Sequence, residues 1–462
     1  MNVELIIETE KPSGLRQAIY QSVWRWHFYA GIIFAPFLII LAFSGAVYLF
    51  KPQIEGNLYK DMMVVRQVGT TPMYPTAIIE KSEIGQPGLK VSSITFPSTK
   101  DSSYKMSVNL SGTPTTMYID PYNGEVLGML DSDKTFSAFF KKLHSELVVG
   151  GTFANRLVEL AACWAVILLL TGLYLWWPRN KSSIWGTVLP RLNKPGSRLF
   201  WRDLHAVPAF WLSLVLLVII ASGLSWSGIM GEQINKLANS TNTNAPPFAY
   251  SFGEKPKSDT VAKDIAEDLP WATENLPVPQ SAAGGYVPLG VDDIAGIVND
   301  KNVEKPYTIT MPLDETGVFT VSTEHVKPGN DATLHLDQYS GAVLTDVRFA
   351  DYGIMAKAIS YGIAFHEGRL FGLANQLLGL VACIGLILIA ISSYVMWRKR
   401  KPESRLGAPS KPNNSKVTVG VILIMLVCGA IMPLVGLSIL TILLLEWLII
   451  RRVQTLRHWF SV

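Results

Sequence analysis

Four stretches of the chain are apolar for about the thickness of a bilayer: residues 28–50, 155–177, 206–228 and 373–397. Each can cross a hydrocarbon core, which takes roughly 20 residues of helix. A fifth stretch, 417–450, is too long for one crossing and predicts a hairpin of two short helices turning near "GAIMP", Gly429 to Pro433. Two long segments of mixed pattern, 51–140 and 229–360, lie between these runs and carry alternating, strand-like stretches.

Charge orients the spans. Arg179, Lys181, Arg191, Lys194, Arg198 and Arg202 stand between the second and third runs against one acid, Asp203. "WRKRKPESR" follows the fourth run, and Arg451, Arg452 and Arg457 lie near the end of the chain. Placing all three clusters in the cytoplasm leaves 51–140 and 229–360 on the opposite side of the membrane. The composition agrees, with 49% hydrophobic and 16% charged residues, and a net charge of +4 argues against nucleic acid as a partner. Cys163, Cys383 and Cys428 all fall inside apolar runs, so no disulfide is expected. No CxxCH sequence offers covalent haem attachment. The first apolar run is too long for a cleaved signal.

The pattern repeats. "WRWHFYAGIIFAPFLIILAFSGAVYLF" (Trp24 to Phe50) and "FWRDLHAVPAFWLSLVLLVIIASGLSW" (Phe200 to Trp226) each open on a histidine, and Ser44-Gly45 lies as far beyond His27 as Ser222-Gly223 lies beyond His205. "LHSELVVGGTFANRLVELAACW" from Leu143 matches "FHEGRLFGLANQLLGLVACIG" from Phe365, each with a histidine, glycines, an asparagine and a cysteine in that order. The outer segments end alike in "MYIDPYNGEVLG" and "LHLDQYSGAVLTD". Asp120, Tyr122 and Gly124 there match Asp337, Tyr339 and Gly341, read as β-turns with the Asp capping and the Gly at positive φ. The Asn-, Ser-, Thr- and Pro-rich stretch 232–282 reads as a loop or linker.

The predicted fold is an α-helical integral membrane bundle of four core helices in parallel tandem repeat, with a C-terminal helical hairpin and two small α+β extracytoplasmic modules. Its parts are an N-terminal segment and first span (1–50), a first outer module (51–140), a second span (141–178) and a cytoplasmic loop (179–204). A third span (205–228), a second outer module (229–360) and a fourth span (361–398) follow. A linker (399–416), the hairpin (417–450) and a cytoplasmic tail (451–462) complete the chain.

Parallel repeats are related by an axis along the membrane normal. That axis puts His27 opposite His205 near the inner face and His144 opposite His366 near the outer face. Facing imidazoles in a helix bundle can serve as the axial pair of a b-type haem. Two non-covalent haem b groups are therefore expected, with Arg25 and Arg202 placed to meet the inner propionates. Interfacial or proton-relay roles for the histidines remain the alternatives. His325, His335 and His458 lack repeat counterparts and read as surface residues. A straight helix from His144 to Trp177 would be ~50 Å long against a ~30 Å core. Either Gly150-Gly151 bends it, or the outer haem sits at the membrane surface.

The four histidines, the pairs Ser44-Gly45, Thr171-Gly172 and Ser222-Gly223, and the two matching hairpins give residues 20–400 a resemblance to the PepSY-associated transmembrane family, a group linked to iron uptake. Ser392-Ser393 departs from the pattern, and the C-terminal hairpin lies outside it. The resemblance implies PepSY-like modules in the periplasm and a multi-pass protein of the bacterial inner membrane with cytoplasmic termini. It is similar to di-haem ferric-siderophore reductases, which implies electron transfer to a ferric siderophore or other ferric chelate with release of Fe(II). The chain has no GxGxxG fingerprint and no soluble flavin module, so a membrane quinol or a cytoplasmic reductase is the expected donor. No catalytic residue is identified. A membrane-anchored PepSY protein that binds or regulates a peptidase without redox chemistry is the second reading, and it leaves four symmetric histidines without a use. A transporter with a histidine relay is the third; it calls for mid-membrane acids, where only Glu159 in the core spans and Glu446 in the hairpin are found.

Overall fold

The computed structural model describes residues 14–85, 88–178, 183–244, 260–281, 287–323, 327–410 and 415–460. Arg179, Lys181 and His325 lie outside the described residues. In chain order the first half runs α1 (Leu15–Tyr48), α2 (Lys51–Leu58), α3 (Lys60–Met63), α4 (Pro75–Gly85), β1 (Lys90–Phe96), β2 (Tyr104–Leu110), β3 (Thr113–Ile119), β4 (Val126–Asp131), α5 (Phe136–Glu146) and α6 (Gly151–Trp176). The second runs α7 (Arg198–Leu224), α8 (Ile229–Ser240), α9 (Val291–Asp300), β5 (Tyr307–Thr310), β6 (Val318–Thr323), β7 (Ala332–Asp337), β8 (Val343–Arg348), α10 (Ile354–His366) and α11 (Leu373–Arg400). Last come α12 (Ser415–Ile431), α13 (Pro433–Leu445) and α14 (Gln454–Phe460). The chain forms two units, one of Met1–Ala46, Leu143–Glu232 and Leu380–Val462, the other of Val47–Lys142 and Gln233–Gly379.

In the second unit the two expected modules are one body. Each is a helix followed by a four-stranded antiparallel meander, and their first strands pair to give a single sheet ordered β4-β3-β2-β1-β5-β6-β7-β8. Ile94 faces Ile309 across that seam, and the Thr95 and Thr308 hydroxyls hydrogen-bond at 2.8 Å. Alone, β1 and β5 would each expose an edge of unpaired N–H and C=O groups; pairing removes both edges. Ile78 of α4 and Ile294 and Val298 of α9 pack against Ile94, Met106, Met117, Ile309, Val321, Leu334 and Leu336 in one apolar core. The matched turns behave as their sequences dictate. Asp120 and Asp337 accept from the backbone N–H of Tyr122 and Tyr339 at 2.8 and 3.0 Å, and Gly124 and Gly341 take φ of 68° and 69°. Both tyrosine hydroxyls then donate to carbonyls of the preceding hairpin, Lys100 and Glu315.

Two readings of this unit need correction. His335 is not a surface residue; it is fully buried on β7, where every residue is covered on both faces, and its Nδ1 lies 2.7 Å from Thr345 Oγ1. A strand buried on both faces loses the alternation that marks an outward side chain. The stretch 232–282 is not simply a linker either. It opens inside α8, and Trp271 and Ala272 are buried against Val347, Tyr352 and Ala356.

Among the described residues, five helices are long and apolar enough to cross a membrane: Leu15–Tyr48, Gly151–Trp176, Arg198–Leu224, Leu373–Arg400 and Pro433–Ile450. The shorter apolar helix Val419–Ile431 precedes the last. Ser197 caps α7, its hydroxyl accepting from Phe200 N–H at 3.2 Å. Residues 141–178 and 361–398 are not continuous helices. The first breaks between α5 and α6, where Leu147, Val148, Gly150 and Gly151 all take positive φ. The second breaks between α10 and α11 at Gly368 and Gly372. These breaks set His144 and His366 on the short helices α5 and α10, which resolves the excess helix length. The C-terminal hairpin joins the helical core. Val435 and Ile439 pack with Phe34, Ala161 and Trp164, and Trp164 Nε1 donates to Ser438 Oγ at 3.1 Å. Gly429 and Gly436 let α12 and α13 meet backbone to backbone, since a Cβ on either would stand 2.9 Å from the other's Cα.

Candidate functional site

His27 on α1 and His205 on α7 face each other in the helical unit, their ring centroids 6.3 Å apart and their planes at 86°. Each ring is held through Nδ1. His27 Nδ1 lies 2.9 Å from Thr171 Oγ1, whose own hydrogen goes to the Ile167 carbonyl at 2.6 Å. The hydroxyl therefore accepts and Nδ1 donates. His205 Nδ1 lies 2.9 Å from the Ile389 carbonyl, which can only accept. Both imidazoles thus carry their proton on Nδ1 and present a bare Nε2 lone pair. The 6.3 Å between the ring centroids is about the span that two imidazoles need to hold one metal ion between them through ~2.0 Å bonds. At that spacing the two residues could hold a haem iron between them.

Glycine completes the cradle. A Cβ at Gly172 would stand 3.3 Å from His27 Cε1, so the Thr-Gly pair supplies a hydroxyl under the ring and a bare backbone beside it. Ser44-Gly45 does the same for His144. Its Nδ1 donates to the Leu41 carbonyl at 3.0 Å with Ser44 Oγ at 3.1 Å, and a Cβ at Gly45 would lie 3.3 Å from His144 Cε1. The Ser392-Ser393 departure keeps half of this arrangement. Ser392 Oγ bonds the Ile389 carbonyl at 3.0 Å, the same oxygen that receives His205, just as Ser44 bonds Leu41. Ser222 repeats the pattern on the Val218 and Ile219 carbonyls.

His366 ends α10 in the sheet-bearing unit. The asparagines of the repeat have matching work: Asn155 donates to the Ser145 carbonyl beside His144, and Asn375 to the Phe365 carbonyl beside His366.

The two arginines expected at propionates are engaged with protein groups. Arg25 Nη1 donates to the Pro409 carbonyl at 2.6 Å, and the guanidinium sits 5.1 Å over the Tyr29 ring. Arg202 joins Arg191 in an ion-pair cluster on Asp203, which is wholly buried and accepts from Arg191 Nε at 2.7 Å and Arg202 Nη2 at 2.7 Å. The Arg191 guanidinium is held above its ordinary pKa by that carboxylate. Glu159 on α6 pairs with Arg156 at 3.1 Å and accepts from the N–H groups of Ile229 and Met230, capping α8. His458 is exposed near Arg405. Sequence reasoning could not foresee the Ile389 carbonyl, a backbone group with no side-chain signature, whereas Thr171 was visible in its Thr-Gly pair.

A sequence model of the family described as the PepSY-associated TM region matches residues 24–400. No curated protein matches the chain.

Proposed function

The chain belongs to the PepSY-associated transmembrane family, and on that premise we propose that it is a membrane-bound haem b oxidoreductase that reduces a ferric chelate, a ferric siderophore being the expected substrate. The observation that carries this reading is the His27–His205 pair, opposed at 6.3 Å with both Nδ1 protons occupied. Haem iron bound there supplies reversible one-electron chemistry. His27 and His205 would hold it. Thr171 and the Ile389 carbonyl fix the tautomer and aim each Nε2, the role that outer partners play for metal-bound histidines. Gly172 lets the His27 ring lie close against α6.

A second haem is proposed on His144 and His366, from the sequence repeat and from the Ser44-Gly45 cradle around His144. In this reading the inner pair faces the cytoplasm, the sheet-bearing unit is periplasmic, and a membrane quinol or cytoplasmic reductase donates the electrons. Reduction weakens the grip of an oxygen-rich chelator on iron and frees Fe(II).

The test is a pyridine haemochrome assay on the purified protein, followed by a vesicle assay. Two haems per chain and a low-spin reduced spectrum are expected. Vesicles holding a reductant should reduce external ferric chelate, trapped as Fe(II) by ferrozine. A colourless protein would refute the reading outright.

A further inference from the structure

Trp201 precedes His205 by one helical turn on α7, and Arg198 lies nearly another turn back on the same face. The Trp201 indole N–H is buried and has no hydrogen-bond partner among the described residues. Four other tryptophans of this unit do find acceptors: Trp164 on Ser438, Trp176 on Thr187, Trp211 on Val188 and Trp397 on Leu406. An indole N–H can only donate, and inside an apolar bundle an unmet donor is costly.

Helix α11, which offers the Ile389 carbonyl to His205, ends at Arg400, on the same side of the helix by its spacing. The Arg400 guanidinium lies 5.2 Å over Trp24 and 5.1 Å over Phe28, the residues on α1 that flank His27. It donates to the Gly407 carbonyl at 2.9 Å. No carboxylate pairs with it among the described residues, and the charge it feels is the like charge of Arg198. A buried donor with no acceptor and a half-buried cation with no anion therefore stand on the helix faces that hold the histidine pair.

We propose that Trp201 Nε1 and the Arg400 guanidinium form the anion-binding side of the His27–His205 site and receive the carboxylate groups of its haem. This rests on the haem reading above and places Trp201 and Arg400 beside the expected propionate contacts Arg25 and Arg202, of which Arg202 is ion-paired with Asp203. A lipid phosphate carries the same charge and would suit Arg400. The buried indole N–H favours the haem carboxylate, and the test separates the two sources.

Full-length protein in a neutral detergent without anionic lipid is stripped of haem and titrated with haem or with haem dimethyl ester, followed by Soret absorbance. A His144→Ala background leaves the inner site as the one read. The parent should prefer haem to the ester. Trp201→Phe keeps the ring and removes the N–H; it should weaken haem binding about tenfold, the scale of a hydrogen bond to a charged group, and leave ester binding unchanged. Arg400→Met should do the same, with melting curves confirming that both variants fold. If both variants bind haem and ester as the parent does, the carboxylates are not held here, although the histidine assignment stands. If the Arg400→Met effect appears only when anionic lipid is added back, the ligand is a lipid phosphate and the inference is overturned. If the parent takes up no haem, the histidine assignment fails and takes this inference with it.

Discussion

The helical unit and the sheet unit each carry both halves of the sequence repeat, yet they treat buried polar groups in opposite ways. In the helical unit, His27 and His205 commit their Nδ1 atoms to Thr171 and Ile389, with their rings 6.3 Å apart. In the sheet unit, buried polar groups are turned to the fold: His335 meets Thr345, Thr273 meets Thr333, and Gln338 donates to the Asp314 and Gly317 carbonyls. Burial holds the His335 imidazole down at about 3, so it stays neutral. A histidine paired within its own sheet serves stability, whereas the His27–His205 pair is proposed above to hold a cofactor.

The strongest test of that contrast is His27→Ala or His205→Ala. Either should remove one haem of two, read by pyridine haemochrome, with the sheet unit's melting unchanged. His335→Ala should do the reverse, keeping both haems while lowering the stability of the sheet unit. Loss of haem in His335→Ala would erase the distinction.

Next in size is a pH effect confined to the sheet unit. Burial raises the Asp331 carboxyl from 3.8 to about 7, partly opposed by Arg369, and Glu274 is raised to about 7 by its own burial. Between about 4 and 7 the unfolded chain has released the Asp331 proton while the folded chain keeps it. Stability from this group therefore falls as pH rises through that window and is flat above it. Asp331→Asn should stabilise the unit relative to the parent by roughly 2–4 kcal/mol more at pH 8 than at pH 4, taking about 1.4 kcal/mol per pKa unit. Denaturant titration at the two pH values checks this; an equal gap at both would show that Asp331 does not titrate as its burial dictates.

Smaller effects sharpen the comparison within the histidine pair. Thr171→Val keeps the shape and removes the acceptor for His27, so haem affinity should drop about 10-fold or more, as losses of such outer partners do. Ser392→Ala leaves the Ile389 carbonyl in place for His205 and should change affinity by less than about 0.5 kcal/mol. Equal losses in the two would mean that the serine hydroxyl, rather than the backbone carbonyl, orients His205.

The sequence alone determined the spans, because a run of about 20 apolar residues has few alternatives in lipid. It also determined the repeat, the hairpin at 417–450, both Asp-x-Tyr-x-Gly turns and the pairing of His27 with His205, since each rests on local spacing or on symmetry between copies. The joining of the modules through Ile94 and Ile309 was left to tertiary structure. Periodicity reveals a strand but not the neighbour that takes its free edge. The fate of His335, Arg25 and Arg202 was decided there too, because burial and ion pairing depend on what arrives from distant parts of the chain. So was the support of His205, which comes from a backbone carbonyl that every residue type possesses, and which only packing of α11 against α7 brings within reach.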